Sequence, residues 1–185
     1  MRKEKGFSLI ELLIVVAIIL IIVSIAIPSL LRAKMSANDS SAASTIRTLN
    51  TAQVTYAATY PAVGFSPNLK SLGPSAAPPA CDKTAACLID NVLACPSATG
   101  CPKSGYNYFM VGAAPSASGF VGDYAASASP IVVNSTGTNN FCSTADAVVR
   151  SFRTAIPAPS SVPPQLTAPE SIANCQTITS YGPLQ

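Results

Sequence analysis

"KGFSLIELLIVVAIILIIVSIAIP", residues 5–28, is the stretch that decides how this chain is organised. Between residues 9 and 27 every side chain is apolar except Glu11 and Ser24. As an α-helix, residues 7–27 would span about 31 Å, which is close to the hydrocarbon thickness of a bilayer. The sequence therefore predicts a helix that can cross a membrane and that carries a carboxylate.

Glu11 needs an explanation. A charged side chain at the centre of a membrane helix costs about 2.5–3.5 kcal/mol, so an intramembrane acid indicates a function. The alternative without a specific function is a glutamate on an ordinary membrane anchor whose carboxylate reaches the membrane–water interface. Basic residues concentrated in 1–6 favour a cytoplasmic N-terminus, although Arg32 and Lys34 on the far side weaken the asymmetry.

Two other classes of N-terminal segment share the basic start and the apolar core. A cleaved secretory signal peptide would need a cleavage site near Ala26, but Pro28 fits that poorly and the run is longer than the usual core. A plain uncleaved anchor is the second alternative. Neither of them explains Glu11.

Composition limits the remaining classes of function. The chain has 185 residues, which favours one domain plus an appendage. Its net charge is +3, of which residues 1–6 contribute all but one unit, so the rest gives no basic surface for specific nucleic-acid binding. The absence of histidine excludes Ser-His-Asp and Cys-His catalysis, and the few acids form no motif, so we expect no enzyme and no cofactor.

Cysteine usage indicates an oxidising compartment. Six cysteines all lie beyond the apolar run, and an even count there favours disulfides. A metal site is not expected, because the chain has neither a C-x-x-C pair nor histidine. The candidates are Cys81, Cys87, Cys95, Cys101, Cys142 and Cys175.

Helical character continues beyond the membrane. Residues 29–60 contain neither proline nor glycine, and Ile46, Leu49, Tyr56 and Tyr60 form an apolar stripe that predicts an amphipathic helix packed on its own domain. We assign the polar residues among them to the opposite face, namely Arg47, Thr48, Asn50, Thr51 and Thr55.

Two prolines affect this predicted helix, one at its end and one in its interior. Pro61 predicts its end. Pro28 lies inside it and removes the hydrogen bond to the carbonyl of Ser24, so we expect a kink or local unwinding there.

From Pro61 onward the amino-acid composition changes, because this part holds 15 of the 16 prolines. Four segments predict short strands of an antiparallel meander, namely "YNYFMVG", "GFVGDYAASA", "SPIVVN" and "AVVRSF", which begin at residues 106, 119, 129 and 147. Residues 155–169 predict an extended surface loop rich in proline.

Residues 5–33, "KGFSLIELLIVVAIILIIVSIAIPSLLRA", resemble the N-terminal signature of type IV pilins and pseudopilins. That signature consists of a short basic leader, a glycine before the cut, a phenylalanine after it, a glutamate at the fifth mature position and an unbroken apolar helix. Farther along, "TGTNNFCSTADAVVR", residues 136–150, is similar to the last strands of bacterial major pilins. The chain most resembles a type IVa major pilin.

The resemblance implies processing and assembly. A prepilin peptidase would cut between Gly6 and Phe7 and methylate the new amine of Phe7, and Glu11 would pair with such an amine. That amine lies four residues before the acid, a spacing at which helical neighbours meet. Whether Glu11 meets its own amine or that of a neighbouring subunit stays open in the sequence.

The resemblance also implies a fold of the α+β class. A long N-terminal helix would pack on an antiparallel β-sheet with a disulfide-bonded C-terminal loop. The expected divisions are a leader at 1–6, a transmembrane and filament-core helix at 7–28, an amphipathic continuation at 29–60, and an extracellular head at 61–185. Within the head, 61–105 would be the loop region that joins helix to sheet, 106–153 the sheet and 154–185 the C-terminal loop.

Fifteen pairings of six cysteines are possible. We favour three pairs, of which the third resembles the disulfide that ties the C-terminal loop of many pilins to the sheet. They are Cys81 with Cys87, Cys95 with Cys101, and Cys142 with Cys175.

The implied partners follow from the resemblance. They are further copies of the chain in a filament, the prepilin peptidase, an inner-membrane assembly platform with its ATPase, and an outer-membrane secretin. The protein would cross the inner membrane once before assembly and stand on the cell surface afterwards. A pseudopilin of a type II secretion system, a minor tip pilin and a membrane-tethered domain that never polymerises remain alternatives.

Overall fold

The computed structural model describes residues 7–75, 81–95, 100–153, 175–176 and 182–183. The chain divides into two compact units, residues 1–34 and residues 35–185. The predicted α+β architecture is confirmed: a long helix begins the described chain, an antiparallel sheet follows, and a disulfide ties the C-terminal part to that sheet.

The long helix, α1, runs from Leu9 to Thr59. Its end agrees with the stop signal at Pro61, which cannot continue a helix. The helix continues through Pro28 without a break in its helical assignment. Nearby, the hydroxyl of Ser24 donates to the carbonyl of Ile21 at 2.8 Å, so this polar side chain is satisfied by its own helix.

The unit 35–185 holds a short helix, α2 (Leu69–Leu72), and a six-stranded antiparallel sheet in which each strand pairs with its neighbour in the chain. The connections between the first five strands agree with the turn residues between them, whereas residues 154–181 separate the fifth strand from the sixth. The strands are β1 (Cys101–Lys103), β2 (Tyr106–Gly112), β3 (Tyr124–Pro130), β4 (Asn139–Thr144), β5 (Arg150–Arg153) and β6 (Gly182–Pro183).

Agreement with the predicted strands is uneven. The segment "YNYFMVG" is confirmed as β2, and "AVVRSF" overlaps β5. The prediction of a strand at "SPIVVN" is wrong, because β3 ends at Pro130 and the following residues form a turn in which the Thr136 N–H donates to the Val132 carbonyl at 2.9 Å. Short apolar runs do not distinguish a strand from a turn whose valines stay exposed, as Val132 does. The predicted loop at 155–169 lies outside the described residues.

The apolar stripe of α1 packs as predicted. Ile46, Leu49 and Tyr56 are at most 1% exposed. They share one hydrophobic cluster with sheet residues that include Tyr108 and Ala126. Burying a leucine or an isoleucine stabilises a fold by about 1.5–3 kcal/mol, so this stripe holds the C-terminal half of α1 on the sheet.

The assignment of Asn50 to the polar, solvated face is wrong. Asn50 is buried, accepts a hydrogen bond from the Tyr124 hydroxyl at 3.0 Å and donates to the Ser143 hydroxyl at 2.8 Å. Buried polar groups stabilise a fold only when they find such partners, and the sheet supplies them here. Gln53, also buried, exchanges two hydrogen bonds with the backbone of Ser66.

Asp39 ties α1 to the start of β4. Its carboxylate accepts hydrogen bonds from the Tyr106 hydroxyl, from the backbone N–H and hydroxyl of Thr138, and from the Asn139 side chain. Beside it, the amide of Asn38 donates to the Thr136 carbonyl at 2.7 Å. Bonds to an ionised acceptor are stronger than neutral ones, so this half-buried cluster fixes the turn between β3 and β4 against the helix.

Three disulfides are present in the unit 35–185, and no described cysteine is free. The two short ones each span six positions, whereas the third spans 33 and links β4 to the C-terminal part. The pairs are Cys81–Cys87, Cys95–Cys101 and Cys142–Cys175.

Buried tyrosines predict loss of stability in alkali. Burial raises the pKa of Tyr106, Tyr108 and Tyr124, and nearby carboxylates raise the pKa of Tyr106 and Tyr124 further. Below pH about 10 each phenol is protonated in both states, so these tyrosines do not make the free energy of unfolding depend on pH. Above that value the unfolded chain loses protons that the folded chain keeps, so the free energy of unfolding falls with pH, by at most about 1.4 kcal/mol per pH unit for each tyrosine that stays protonated in the folded state.

Urea unfolding of the full chain in detergent between pH 8 and pH 11 measures this effect. The Tyr124→Phe variant is the matched control, because it removes one titrating phenol and is expected to show a shallower decline above pH 10. A free energy of unfolding that stays constant between pH 10 and pH 11 would contradict the prediction.

Candidate assembly segment

Unit 1–34 exposes an apolar surface. All the large apolar side chains between Phe7 and Leu31 are 38–87% exposed, around the whole circumference of α1. We call residues 7–31 the apolar segment. Soluble monomers rarely expose contiguous apolar patches of this extent, so such a surface indicates a membrane or a protein partner.

Length and composition allow a membrane span. Within the described residues, α1 is the one helix long and apolar enough to cross a bilayer. A signal sequence near the N-terminus passes the same test, so this property alone does not separate an anchor from a secretory signal. Glu11 and its surroundings are therefore needed to distinguish an anchor from a secretory signal.

Glu11 closes the N-terminal turn of α1. The backbone N–H of Ser8 donates to a carboxylate oxygen of Glu11 at 2.9 Å. Ser8 precedes the first helical residue, Leu9, and Glu11 lies three residues after Ser8, which is the spacing of a capping box. The carboxylate also lies at the positive end of the helix dipole, which favours a negative charge.

Sequence reasoning missed this capping contact, although the signal was present. "SLIE", residues 8–11, has the S-x-x-E pattern that begins many helices. The contact gives Glu11 a local structural role in addition to any role in assembly. It also places the carboxylate beside the backbone of Ser8, one residue after the nitrogen of Phe7.

The predicted site residues fall into separate groups. Phe7 and Glu11 lie together at the start of α1, and Pro28 lies within the helix about five turns later. Gly6 is outside the described residues. The six cysteines all belong to the unit 35–185.

Comparisons with known proteins find a match to the N-terminal part of the chain, which includes most of the apolar segment. Residues 1–27 match a family model described as the prokaryotic N-terminal methylation motif. The long N-terminal helix, the antiparallel sheet and the disulfide of the C-terminal part fit the fold of a type IV pilin. It is similar to the type IV wide pilus major component PilA4 of Thermus thermophilus, with 62% identity over 39 residues.

The likeness to the Thermus pilin is confined to a short stretch. It covers 21% of this chain, and the chain spans 30% of the length of that relative. No solved structure gives a significant match. The head of this pilin-like chain is therefore described by its own structure, and the finer details of its function are proposals.

Proposed function

We propose that this chain is the structural subunit of a type IV pilus. The exposed apolar segment, joined to a match with the N-terminal methylation motif, carries this proposal. An ordinary anchor would explain the apolar surface but neither Glu11 nor the glycine and phenylalanine before it. The subunit is structural, without catalytic residues or a cofactor of its own.

The proposed processing begins at the leader, residues 1–6. A prepilin peptidase cuts between Gly6 and Phe7 at the cytoplasmic face and methylates the amine of Phe7. Glycine suits the cut because it presents no side chain to an enzyme that binds the backbone in extended form. Cleavage turns the Phe7 nitrogen from an amide into a cation beside the carboxylate of Glu11.

This new cation changes the surroundings of Glu11. In the free subunit the carboxylate pairs with its own Phe7 amine, since the Ser8 contact already holds it at that turn. In the filament it pairs with the Phe7 amine of a subunit already incorporated. A buried charge without a partner is destabilising by several kcal/mol, so this exchange of partners selects the correct register.

The apolar segment supplies the contact area of the filament. In lipid there is little hydrophobic gain from helix association, because lipid tails are as apolar as leucine side chains. Packing between helices and an energy-driven assembly machine must therefore draw the subunit out of the membrane. We assign that work to an inner-membrane platform with its ATPase, and passage to the surface to an outer-membrane secretin.

The proposed divisions follow the same scheme. Residues 7–28 form the membrane and filament-core helix, 29–60 support the head, and 61–185 form the extracellular head. Pro28 lies where its missing N–H weakens the helix, so the helix can loosen there when the subunit enters a filament. Before assembly the protein crosses the inner membrane once with its N-terminus in the cytoplasm.

Mass spectrometry of the mature N-terminus tests this proposal. We expect the chain to begin at Phe7 and to be heavier by one methyl group than a free amine. A matched variant, Gly6→Leu, places a large side chain at the cut and is expected to leave the leader attached. A mature start near Ile27 would instead make the apolar segment a secretory signal and would overturn the proposal.

A further inference from the structure

The three disulfides differ in their exposure to solvent. Cys142 and Cys175 are fully buried and Cys101 is 1% exposed, whereas Cys81 and Cys87 both lie on the surface. Thiol–disulfide exchange begins with attack of a thiolate on a sulfur atom, so access controls its rate. Of the three bonds, Cys81–Cys87 is the one in which both residues are exposed.

Backbone conformation distinguishes the same bond. Cys87 has a φ of +57°, in the left-handed region that few residues other than glycine adopt. Its N–H donates to the Gly73 carbonyl at 2.8 Å. Exposed or strained disulfides are the labile ones, whereas buried structural disulfides resist reduction.

The loop that this disulfide closes has other supports. Asp82 and Ala85 exchange two backbone hydrogen bonds of 3.1 Å, and the Asp82 carboxylate accepts a bond from the Thr84 N–H at 2.7 Å. The hydroxyl of Tyr56 on α1 donates to the Lys83 carbonyl at 2.6 Å. Because these contacts do not depend on the sulfur atoms, we expect them to hold the loop in place when the disulfide is cleaved.

We propose that Cys81–Cys87 is a site of thiol–disulfide exchange that accepts a dithiol as its reductant. A thiolate of the dithiol attacks one cysteine sulfur, forms a mixed disulfide and releases the other cysteine as a thiolate. The second thiol of the reductant then displaces the bound cysteine. Two electrons pass from the dithiol, which becomes a disulfide, and each cysteine takes up one proton.

This exchange would give residues 81–87 two chemical states on one head fold. It is independent of the pilus proposal, because it rests on the exposure and the contacts of the head alone. The buried pair Cys142–Cys175 would stay oxidised in both states.

Graded reduction of the full-length protein in detergent tests the proposal. The protein is treated with increasing dithiothreitol under native conditions, trapped with iodoacetamide and mapped by mass spectrometry, while near-ultraviolet circular dichroism reports on the fold. We expect an early species that carries two labels, on Cys81 and Cys87, with an unchanged spectrum. First labelling at either other pair, simultaneous labelling of all six cysteines, or loss of the spectrum with the first labels would overturn the proposal.

A double variant provides the matched control. In Cys81→Ala with Cys87→Ala, the first labelling step is expected to disappear, while the four other cysteines stay unlabelled at the same dithiothreitol concentration. Labelling of those four at that concentration would show that the first step was a general loosening of the head. Should this variant fail to fold, the order of labelling in the unaltered protein still decides the question.

Discussion

Glu11→Gln is expected to abolish filaments while the subunit remains in the membrane and is still cut before Phe7. The change removes the negative charge that, in the proposed filament, pairs with the Phe7 amine. Leaving one buried charge without its partner costs about 3–5 kcal/mol, which is more than a hundredfold in an association constant. Electron microscopy measures the number of surface filaments, and immunoblots of membrane fractions measure the amount and the size of the subunit.

The capping contact makes glutamine the informative substitution. Glutamine can replace glutamate in a capping box, so Glu11→Gln preserves the bond to the Ser8 N–H, whereas Glu11→Ala removes both the cap and the charge. If the charge matters, both variants lose filaments. If only the helix start matters, the glutamine variant assembles and the alanine variant does not, and that outcome would contradict the proposed ion pair.

A polar residue elsewhere in the apolar segment gives the control. Among the described residues, Ser24 bonds to its own helix, through the Ile21 carbonyl. Ser24→Ala is therefore expected to assemble normally. Failure of this variant would indicate that any change in the segment disturbs assembly, and the result with Glu11 would lose its meaning.

Removal of the Cys142–Cys175 disulfide is expected to cost the head about 4 kcal/mol. The bond closes a loop that spans 33 positions, and its loss returns conformational freedom to the unfolded chain. Because domains are stable by only about 5–15 kcal/mol, the loss would remove a large part of the total. Urea unfolding of the Cys142→Ala, Cys175→Ala double variant in detergent measures it.

The short Cys81–Cys87 disulfide provides a matched comparison. It spans six positions, so the same chain-entropy argument gives a loss of about 2 kcal/mol for Cys81→Ala with Cys87→Ala. The buried bond also holds the C-terminal part near β5, with which β6 pairs at Arg150 and Ser151. Equal losses in the two double variants would contradict the expectation.

Much of the helix was predictable from sequence because its signals are local. The end of α1 follows from a proline, and the burial of Ile46, Leu49 and Tyr56 follows from a helical period. The capping contact of Glu11 was within reach too, because its pattern occupies four consecutive residues. These features can be predicted from neighbouring residues alone, without information about distant parts of the chain.

The sheet was harder to predict because its strands are short and their partners are distant. β4 is rich in polar residues, yet five of its six residues are buried between β3 and β5. "SPIVVN" has stronger strand formers, yet its last four residues leave the strand and begin a turn, which the Asp39 and Asn38 contacts fix against α1. Strand preference is set by neighbours on the sheet more than by intrinsic propensity, so the sequence alone could not show which of these two segments forms a strand.

The sequence by itself determined the apolar segment, its glutamate and the match to the N-terminal methylation motif, because each of these features is carried by consecutive residues. Only the tertiary structure decided that Asn50 is buried against Tyr124. It alone decided that Cys81 and Cys87 are exposed while Cys142 and Cys175 are buried. Burial and hydrogen-bond partners depend on which distant residues the fold brings together, and no single stretch of sequence contains that information.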